Sequence, residues 1–241
     1  MMKNFVDFFS DIKNDNFHQK SIYVDACILL AFLDGRDVNG DKVAEALEKW
    51  GEDGIGTLGI SNHVISEVVH KLFVNDIYKV INLTYRKLRK NEVLKKEEDD
   101  FIGDLQTARN LMSLVEHQEL ERLYNGRRTN INIGEVIKNY KRSFIDRQKL
   151  SHYYSSAQNT FEIFLNSLHN DFGIDVSHLS SDKESYFFAH QYMKDFQLEI
   201  TDALHLAITK QNSFDFFATL DGDFIHDLYE GLDMTRILRI A

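Results

Sequence analysis

The stretch Ser21-Ile22-Tyr23-Val24-Asp25 decides the fold, because the apolar run 26–33 follows it without a break. Residues 21–24 are rich in β-branched and aromatic side chains, which is typical of a short strand. The apolar run behind them has the length of a helix. A strand that turns directly into a helix indicates an α/β fold, and it places Asp25 at the carboxyl end of its strand.

A second acidic residue, Glu67, follows a second predicted strand at residues 57–60. Ser61 or Asn62 can cap the helix behind this strand. Apolar residues repeat along that helix with helical spacing, and Glu67 falls just off the edge of the stripe that they form. We therefore expect Glu67 to border the core rather than to face open water.

Three more acidic residues come from the C-terminal part of the chain. Asp202 lies in residues 201–209, which predict a helix that is apolar on nearly every side and therefore buried. Asp221 and Asp223 directly follow the predicted strand 216–220. Ligands of open α/β sheets bind outside the carboxyl ends of the strands, so we expect all five acidic residues to meet at that edge.

Five carboxylates at one edge would form an oxygen-only pocket of high negative charge. Such a pocket prefers hard divalent cations such as Mg²⁺ or Mn²⁺. The carboxylates repel one another and raise each other's pKa values until a cation neutralises them. Bound cations of this kind activate water for the hydrolysis of a phosphodiester. His205, on the polar line of the Asp202 helix, is either a satisfied core histidine or a partner of Asp202.

Each acidic residue also has an interpretation that involves no chemistry. Asp25 can cap the helix that follows it, Glu67 can belong to a solvated helix face, and Asp202 can complement a helix N-terminus. Asp221-Gly222 can form an ordinary turn. Only the joint occurrence of these residues at matching structural positions favours a functional site.

Four segments resemble, in order, the motifs of PIN-domain proteins. They are Val24-Asp25-Ala26-Cys27-Ile28-Leu29-Leu30, residues 60–69, residues 198–207 and Ala218-Thr219-Leu220-Asp221-Gly222-Asp223-Phe224. The resemblance is strongest to the toxin ribonucleases of toxin–antitoxin pairs. It implies a parallel-sheet, three-layer α/β sandwich and an endoribonuclease that requires Mg²⁺ or Mn²⁺.

The resemblance also implies roles for single residues. The catalytic residues and metal ligands that it implies are Asp25, Glu67, Asp202 and Asp221. It adds Asp223 as a further metal ligand and Thr219 as a hydroxyl that orients the site. It further implies an antitoxin protein and a second copy of the chain as partners.

The middle of the chain predicts an elaboration of this fold. With 241 residues, of which 43% are hydrophobic, the chain can build a core, and we interpret residues 1–241 as one PIN-like domain. Helical periodicity predicts an α-helical insertion at about residues 86–155. Its helices are predicted over residues 75–96, 101–124 and 134–148, with a polar joint at residues 95–100.

A basic segment, Arg122–Lys149, lies within the insertion. It carries eight basic and two acidic side chains, although the whole chain has a net charge of −10. Its interleaved Tyr124, Tyr140 and Phe144 favour RNA contact, because basic residues bind phosphates and aromatic rings stack on bases. The segment can equally form a solvated face or dock an acidic protein surface.

The expected compartment is the cytoplasm. No stretch of the sequence is long and apolar enough to cross a membrane, and residues 1–9 lack the apolar centre of a secretory signal. Cys27 is the single cysteine, which excludes an internal disulfide and is compatible with a reducing compartment.

Other patterns do not meet the requirements of the sites that they resemble. Residues 54–59 match a dinucleotide-binding fingerprint in letters but follow a predicted helix rather than a strand. His63 and His70 share a predicted helix without a third zinc ligand. An aspartyl-phosphate phosphatase needs a second carboxylate two residues after Asp25, where Cys27 stands. The main alternative is a catalytically weak or inactive module of the same fold that binds RNA or protein.

Overall fold

The computed structural model describes residues 5–35, 37–144, 146–226, 229 and 235–240. The chain forms two compact units. The first unit consists of Met1–Val68 together with Glu162–Ala241, and the second unit consists of Val69–Phe161.

The first unit is built on one sheet of six described strands. They are β1 (Val6–Phe8), β2 (Ser21–Val24), β3 (Thr57–Ser61), β4 (Val176–Leu179), β5 (Phe216–Thr219) and β6 (Arg236–Arg239). The strand order is β1-β6-β5-β2-β3-β4, and every pair of neighbours is parallel. These strands therefore all end at one edge, where α/β proteins bind their ligands.

Helices make up most of the remaining described structure. They are α1 (Phe9–Ile12), α2 (Ala26–Leu33), α3 (Gly40–Asp53), α4 (Asn62–Arg89), α5 (Lys96–Ile102), α6 (Leu105–Ser113), α7 (His117–Tyr124), α8 (Ile133–Ser143), α9 (Ser151–Phe172), α10 (Lys183–Phe196) and α11 (Ile200–Gln211). Short 3₁₀ helices cover Arg147–Leu150 and Gly222–Phe224. Among the described helices, none has the length and apolar content needed to cross a membrane.

The two faces of the sheet pack against different helices. Tyr23 of β2 and Phe217 of β5 are neighbours in register, and both rings contact His205 of α11. Side chains alternate between faces along a strand, so Phe216 points to the opposite face. There it begins a series of aromatic contacts that ends at Trp50 of α3. The first unit thus has helix, sheet and helix layers.

The glycine-rich stretch 54–59 has a structural role. Gly54 ends α3 with a φ of 68°, and the chain then enters β3. A Cβ on Gly59 would lie 2.3 Å from Cζ of Phe214, so the Phe214 ring requires glycine at this position. A helix before a strand is the reverse of the order in a dinucleotide-binding motif.

The second unit has a helical core of its own. Its buried apolar side chains include Phe73, Leu111 and Tyr153. The ring of Phe73 stacks on Tyr154 with centroids 3.7 Å apart. The hydroxyl of Tyr153 donates a hydrogen bond to the carbonyl of Ile102 at 2.8 Å. This core lies entirely within Val69–Phe161.

The predicted α/β class, with a parallel sheet and additional helices, is confirmed. The structure adds β1 and β6, which the sequence patterns did not predict, and it places β4 two residues later than the predicted strand around residues 174–176. That residues 1–241 form one PIN-like domain with an insertion at about 86–155 remains a prediction.

Several predicted helix boundaries in the middle of the chain were wrong. The predicted polar joint at 95–100 is largely the start of α5, because its acidic residues stabilise the positive N-terminal end of that helix. The helix predicted over 101–124 is interrupted because Gly103, with a φ of 65°, ends α5. Asp104 then caps α6. Both α4 and α8 end earlier than predicted.

Candidate active site

The carboxyl ends of β2 and β5 lie side by side. Val24 and Ala218 are partners in the parallel register, and the backbone N–H of Asp25 donates to the carbonyl of Ala218 at 3.0 Å. The hydroxyl of Thr219 donates to Oδ2 of Asp25 at 2.9 Å. Both side chains are buried, so this hydrogen bond holds the Asp25 carboxylate in one orientation.

Asp25 also caps α2. Its Oδ1 accepts a hydrogen bond from the N–H of Ala26 at 2.6 Å. The thiol of Cys27 donates to Oδ2 at 3.0 Å, and its sulfur accepts from the N–H of Leu220 at 3.2 Å. Burial, followed by the charge of Asp25, raises the pKa of the Cys27 thiol, which therefore stays protonated. The capping role and a role in the site are compatible, because capping orients the carboxylate.

Asp221 follows β5 in a tight turn. Its backbone N–H donates to the Thr219 hydroxyl at 2.9 Å, and its Oδ1 accepts from the N–H of Asp223 at 2.9 Å. The 3₁₀ helix that begins after Asp221 buries Phe224 against Phe217, with ring centroids 4.8 Å apart. The turn thus keeps both acidic residues at the end of β5.

The pKa of Asp202 depends on the charges of other acidic residues. Asp202 lies partly buried in the first turn of α11. Burial raises the pKa of its carboxyl to about 6, with further contributions from the negative charges of Asp221 and Asp25, and then of Glu199 and Asp223. A charge effect of this kind requires proximity. Asp25, Asp202, Asp221 and Asp223, which we call the acidic group, therefore lie near enough for the charges of the other three to affect Asp202.

Glu67 differs from its prediction. It is exposed on α4, whereas the sequence pattern predicted that it would border the core. Its neighbour Val68 is fully buried. Successive residues of a helix point about 100° apart, so Glu67 points away from the face that Val68 buries. Its role as a ligand remains a prediction.

His205 is a buried core histidine. Its Nδ1 lies 2.7 Å from the hydroxyl of Tyr23, which in turn donates to Oγ of Ser61 at 2.7 Å. Its Nε2 lies 3.9 Å from Oδ1 of Asp25, whereas no ion pair joins His205 to Asp202 in the described structure. Burial lowers the pKa of the imidazole, which is therefore neutral near pH 7.

Two residues near the acidic group were not predicted. Glu199 precedes α11 and contributes to the raised pKa of Asp202. Tyr229 is buried, and its pKa is raised by burial and by the charge of Asp202. Its hydroxyl has no hydrogen-bond partner in the described part of the chain. Glu199 could have been found as an acidic residue before a predicted helix, whereas no sequence pattern marks Tyr229.

The carboxylate oxygens of these acidic residues suit a hard divalent cation. Carboxylate oxygens are the preferred ligands of such ions. A cation beside Asp202 would offset its burial and the repulsion from its neighbours, which together raise its pKa. Within residues 5–35, 37–144, 146–226, 229 and 235–240, no three His, Cys, Asp or Glu side chains already form a metal-binding group. His63 instead has its Nε2 2.9 Å from Oγ of Ser181.

The basic segment Arg122–Lys149 divides into paired and unpaired residues. Ion pairs to acidic side chains hold Arg122, Lys138 and Lys149. In the described structure, no ion pair holds Arg127, Arg128, Lys141, Arg142 or Arg147. Tyr124 is exposed, but Tyr140 is buried against Phe144 and cannot stack on a base. The predicted stacking role of Tyr140 was therefore wrong, because Tyr140 belongs to the core of the second unit.

A family model for the PIN domain matches residues 22–113. The matched part contains Asp25 and Glu67 and ends before Asp202, Asp221 and Asp223. It supports the resemblance to PIN-domain proteins for that part of the chain. Neither the curated proteins nor the solved structures contain a significant match.

Asp202→Asn is expected to raise the free energy of unfolding by about 1–2 kcal/mol at about pH 7.5 without divalent cations, because it removes a repelled, partly buried charge. The folded protein binds this proton more tightly than the unfolded chain does. The gain is therefore small near pH 4 and grows as the pH rises to about 6. Urea denaturation at the two pH values measures it.

Asp195→Asn, at an exposed position of α10, is the matched control and should not change the unfolding curves. Mg²⁺ or Mn²⁺ should stabilise the wild-type protein and have little effect on Asp202→Asn. Lower stability of Asp202→Asn than of wild type at about pH 7.5 would contradict the repulsion that we describe.

Proposed function

We propose that the chain is a divalent-metal-dependent endoribonuclease that hydrolyses RNA phosphodiester bonds. The observation that supports this most is the raised pKa of Asp202 at the carboxyl edge of a parallel sheet. Burial raises it most, and the charges of nearby carboxylates, Asp221 and Asp25 first, raise it further. PIN domains are usually nucleases that need divalent metals, so the family match supports a nuclease in general. RNA as the substrate, and Mg²⁺ or Mn²⁺ as the ion, are our proposals.

In this proposal Asp25 and Asp202 are the main metal ligands. Asp221 and Glu67 bind the metal directly or through water, and Asp223 is an additional ligand. When bound, the metal supplies a water of lowered pKa and stabilises the leaving oxygen.

The chain's own hydrogen bonds orient the carboxylates that would bind the metal. Thr219 and the N–H of Ala26 bind different oxygens of Asp25 and hold its carboxylate in place. The N–H of Asp223 does the same for Asp221. Because these donors are already in position, the carboxylates lose little freedom when a ligand binds.

We further propose that the unpaired cations of the basic segment bind the RNA backbone. Five of its basic side chains have no ion pair in the described structure, so they can meet phosphates without breaking an existing ion pair. Tyr124, which is exposed at one end of the segment, is its candidate for base stacking.

A toxin role belongs to the same proposal. It includes inhibition of growth by RNA cleavage, an antitoxin protein, a homodimer and a cytoplasmic location. The resemblance of the motifs to those of toxin ribonucleases supports it.

A second candidate function is a weak or inactive module that binds RNA or protein. Two observations favour it: Glu67 is exposed, and the described residues contain no ready group of three metal ligands. Cleavage assays separate the two functions, because only the enzyme has a metal-dependent turnover.

Asp25→Asn and Asp202→Asn are each expected to lower the rate of RNA cleavage by about 100-fold or more, because each removes a charge that holds the metal. The measurement is cleavage of a labelled RNA during titration with Mn²⁺ or Mg²⁺. Asp195→Asn is the control and should cleave at the wild-type rate. Undiminished cleavage by both site variants would assign the activity to a contaminant or to another site.

Arg127→Gln combined with Arg128→Gln is expected to reduce the salt dependence of RNA binding. The slope of log affinity against log salt concentration should decrease by about 1.5–2, because two phosphate contacts are lost. Arg122→Gln combined with Lys138→Gln is the matched control, since both residues already have acidic partners. An equal decrease in both double variants would exclude a special role for the unpaired arginines.

Expression of the wild-type chain is expected to stop bacterial growth, whereas Asp202→Asn should not, because toxicity requires cleavage in this proposal. Co-expression of the product of a small neighbouring gene should restore growth. The measurement is the growth curve after induction. Normal growth of cells that contain active enzyme would argue against the toxin role.

A further inference from the structure

Arg239 lies beside the acidic group on the next strand of the sheet. It is the last residue of β6, and its Cα partner on β5 is Thr219. On its other side, its Cα partner on β1 is Phe8. Thr219 donates its hydroxyl to Asp25, which directly follows β2. The ends of four neighbouring strands therefore carry Asp25, Thr219, Arg239 and Phe8 at one level.

These four side chains share one face of the sheet. Partners in a parallel register point to the same face, and side chains two residues apart along a strand do so as well. Neighbouring strands lie about 4.8 Å apart, so the strand of Arg239 lies about 5 Å from that of Thr219, and the strand of Phe8 about 10 Å. Asp25, Thr219, Arg239 and Phe8 therefore form a row of side chains that runs from the acidic group to β1.

Arg239 lacks a partner for its charge. In the described structure its guanidinium makes no ion pair, and its Nη1 is buried without a hydrogen-bond acceptor. Arg236, on the same strand but on the opposite face, is paired with Asp7 at 2.6 Å. Arg239 as a whole is partly buried, and shielding part of a charged group from water without a partner is costly. An anion from outside the described chain would supply what Arg239 lacks.

Phe8 lies next to this charge and is open to contact. It is 41% exposed, whereas the following residue, Phe9, is buried against Phe17 and Trp50. None of the aromatic contacts of the described residues involves the Phe8 ring. An exposed ring beside an unpaired guanidinium is the combination that binds a base together with its phosphate.

We propose that Arg239 and Phe8 form a subsite for the nucleotide next to the cleaved phosphodiester. Arg239 binds the phosphate of that nucleotide, and Phe8 stacks on its base. The subsite rests on the proposed nuclease function, because that function puts a phosphodiester to be cleaved at this edge. The positive charge of Arg239 also offsets the negative charge of the acidic group, which repels phosphates unless a cation is near.

The test measures binding separately from cleavage. A fluorescently labelled single-stranded RNA oligonucleotide is titrated with Asp202→Asn protein in EDTA, and its anisotropy gives the affinity. Adding Arg239→Gln should weaken binding about tenfold and lower the salt slope by about 1. Adding Phe8→Ala should weaken binding about tenfold, while Phe8→Trp should retain affinity, because tryptophan also stacks.

Matched controls are available on the same unit. Arg236→Gln removes the same charge from the opposite face of β6, and Phe187→Ala removes a phenyl ring that is 69% exposed on α10. Both should leave RNA affinity within about twofold of the parent, because neither lies on the row. Melting curves without RNA check folding, and Arg239→Gln should melt no lower than its parent, since it removes an unpaired charge.

The outcomes distinguish the subsite from the enzyme. Normal metal-dependent cleavage by wild type, with unchanged RNA affinity in the Arg239 and Phe8 variants, overturns the subsite and leaves the nuclease intact. RNA affinity that depends on both residues, without any metal-dependent cleavage, supports RNA binding by Arg239 and Phe8 but overturns the nuclease, and with it their role beside a cleaved phosphodiester. A lower melting temperature of Arg239→Gln with unchanged RNA affinity makes Arg239 a structural residue and also overturns the subsite.

Discussion

The parallel pairing of β2 with β5 is the constraint on which the candidate site depends. It joins residues 194 positions apart, and its end is marked by the hydrogen bond from Thr219 to Asp25. The chain between these strands includes the whole second unit. Closing so long a connection costs entropy before any long-range contact is made, so Asp25 and Thr219 meet only when β2 and β5 pair.

Once formed, the site concentrates negative charge at a cost in stability. Burial and the neighbouring carboxylates disfavour the ionised form of Asp202, whereas most charged residues of the chain lie at exposed positions. Stability alone would favour an amide or an apolar residue at this position. A carboxyl with a strongly perturbed pKa in a cluster of like charges is a typical property of functional sites. The cost in stability at Asp202 is what the proposed metal site would require.

Much of this could be predicted from the sequence where the signal is local. A short apolar run followed by an acidic residue located the ends of β2 and β5, because strand and cap are determined by adjacent residues. The exposure of Glu67 and the burial of Tyr140 depend on which side of a helix meets its neighbours, and periodicity alone does not determine that side. The strands β1 and β6 become recognisable only by their pairing, because β1 has three residues and β6 has only two apolar residues between two arginines.

The same register that gathers the acidic residues also extends the site beyond them. Within the sequence, Ile237-Leu238-Arg239 is an apolar pair followed by a charge, the arrangement that marks Asp25 after β2. The sequence pattern alone does not show what Arg239 lies next to. The pairing of β6 with β5 places it beside Thr219. The charge along this edge changes from negative at β2 and β5 to positive at β6. A phosphodiester chain suits that order, because its phosphates can be held by a cation at the acidic end and by Arg239 directly at the other.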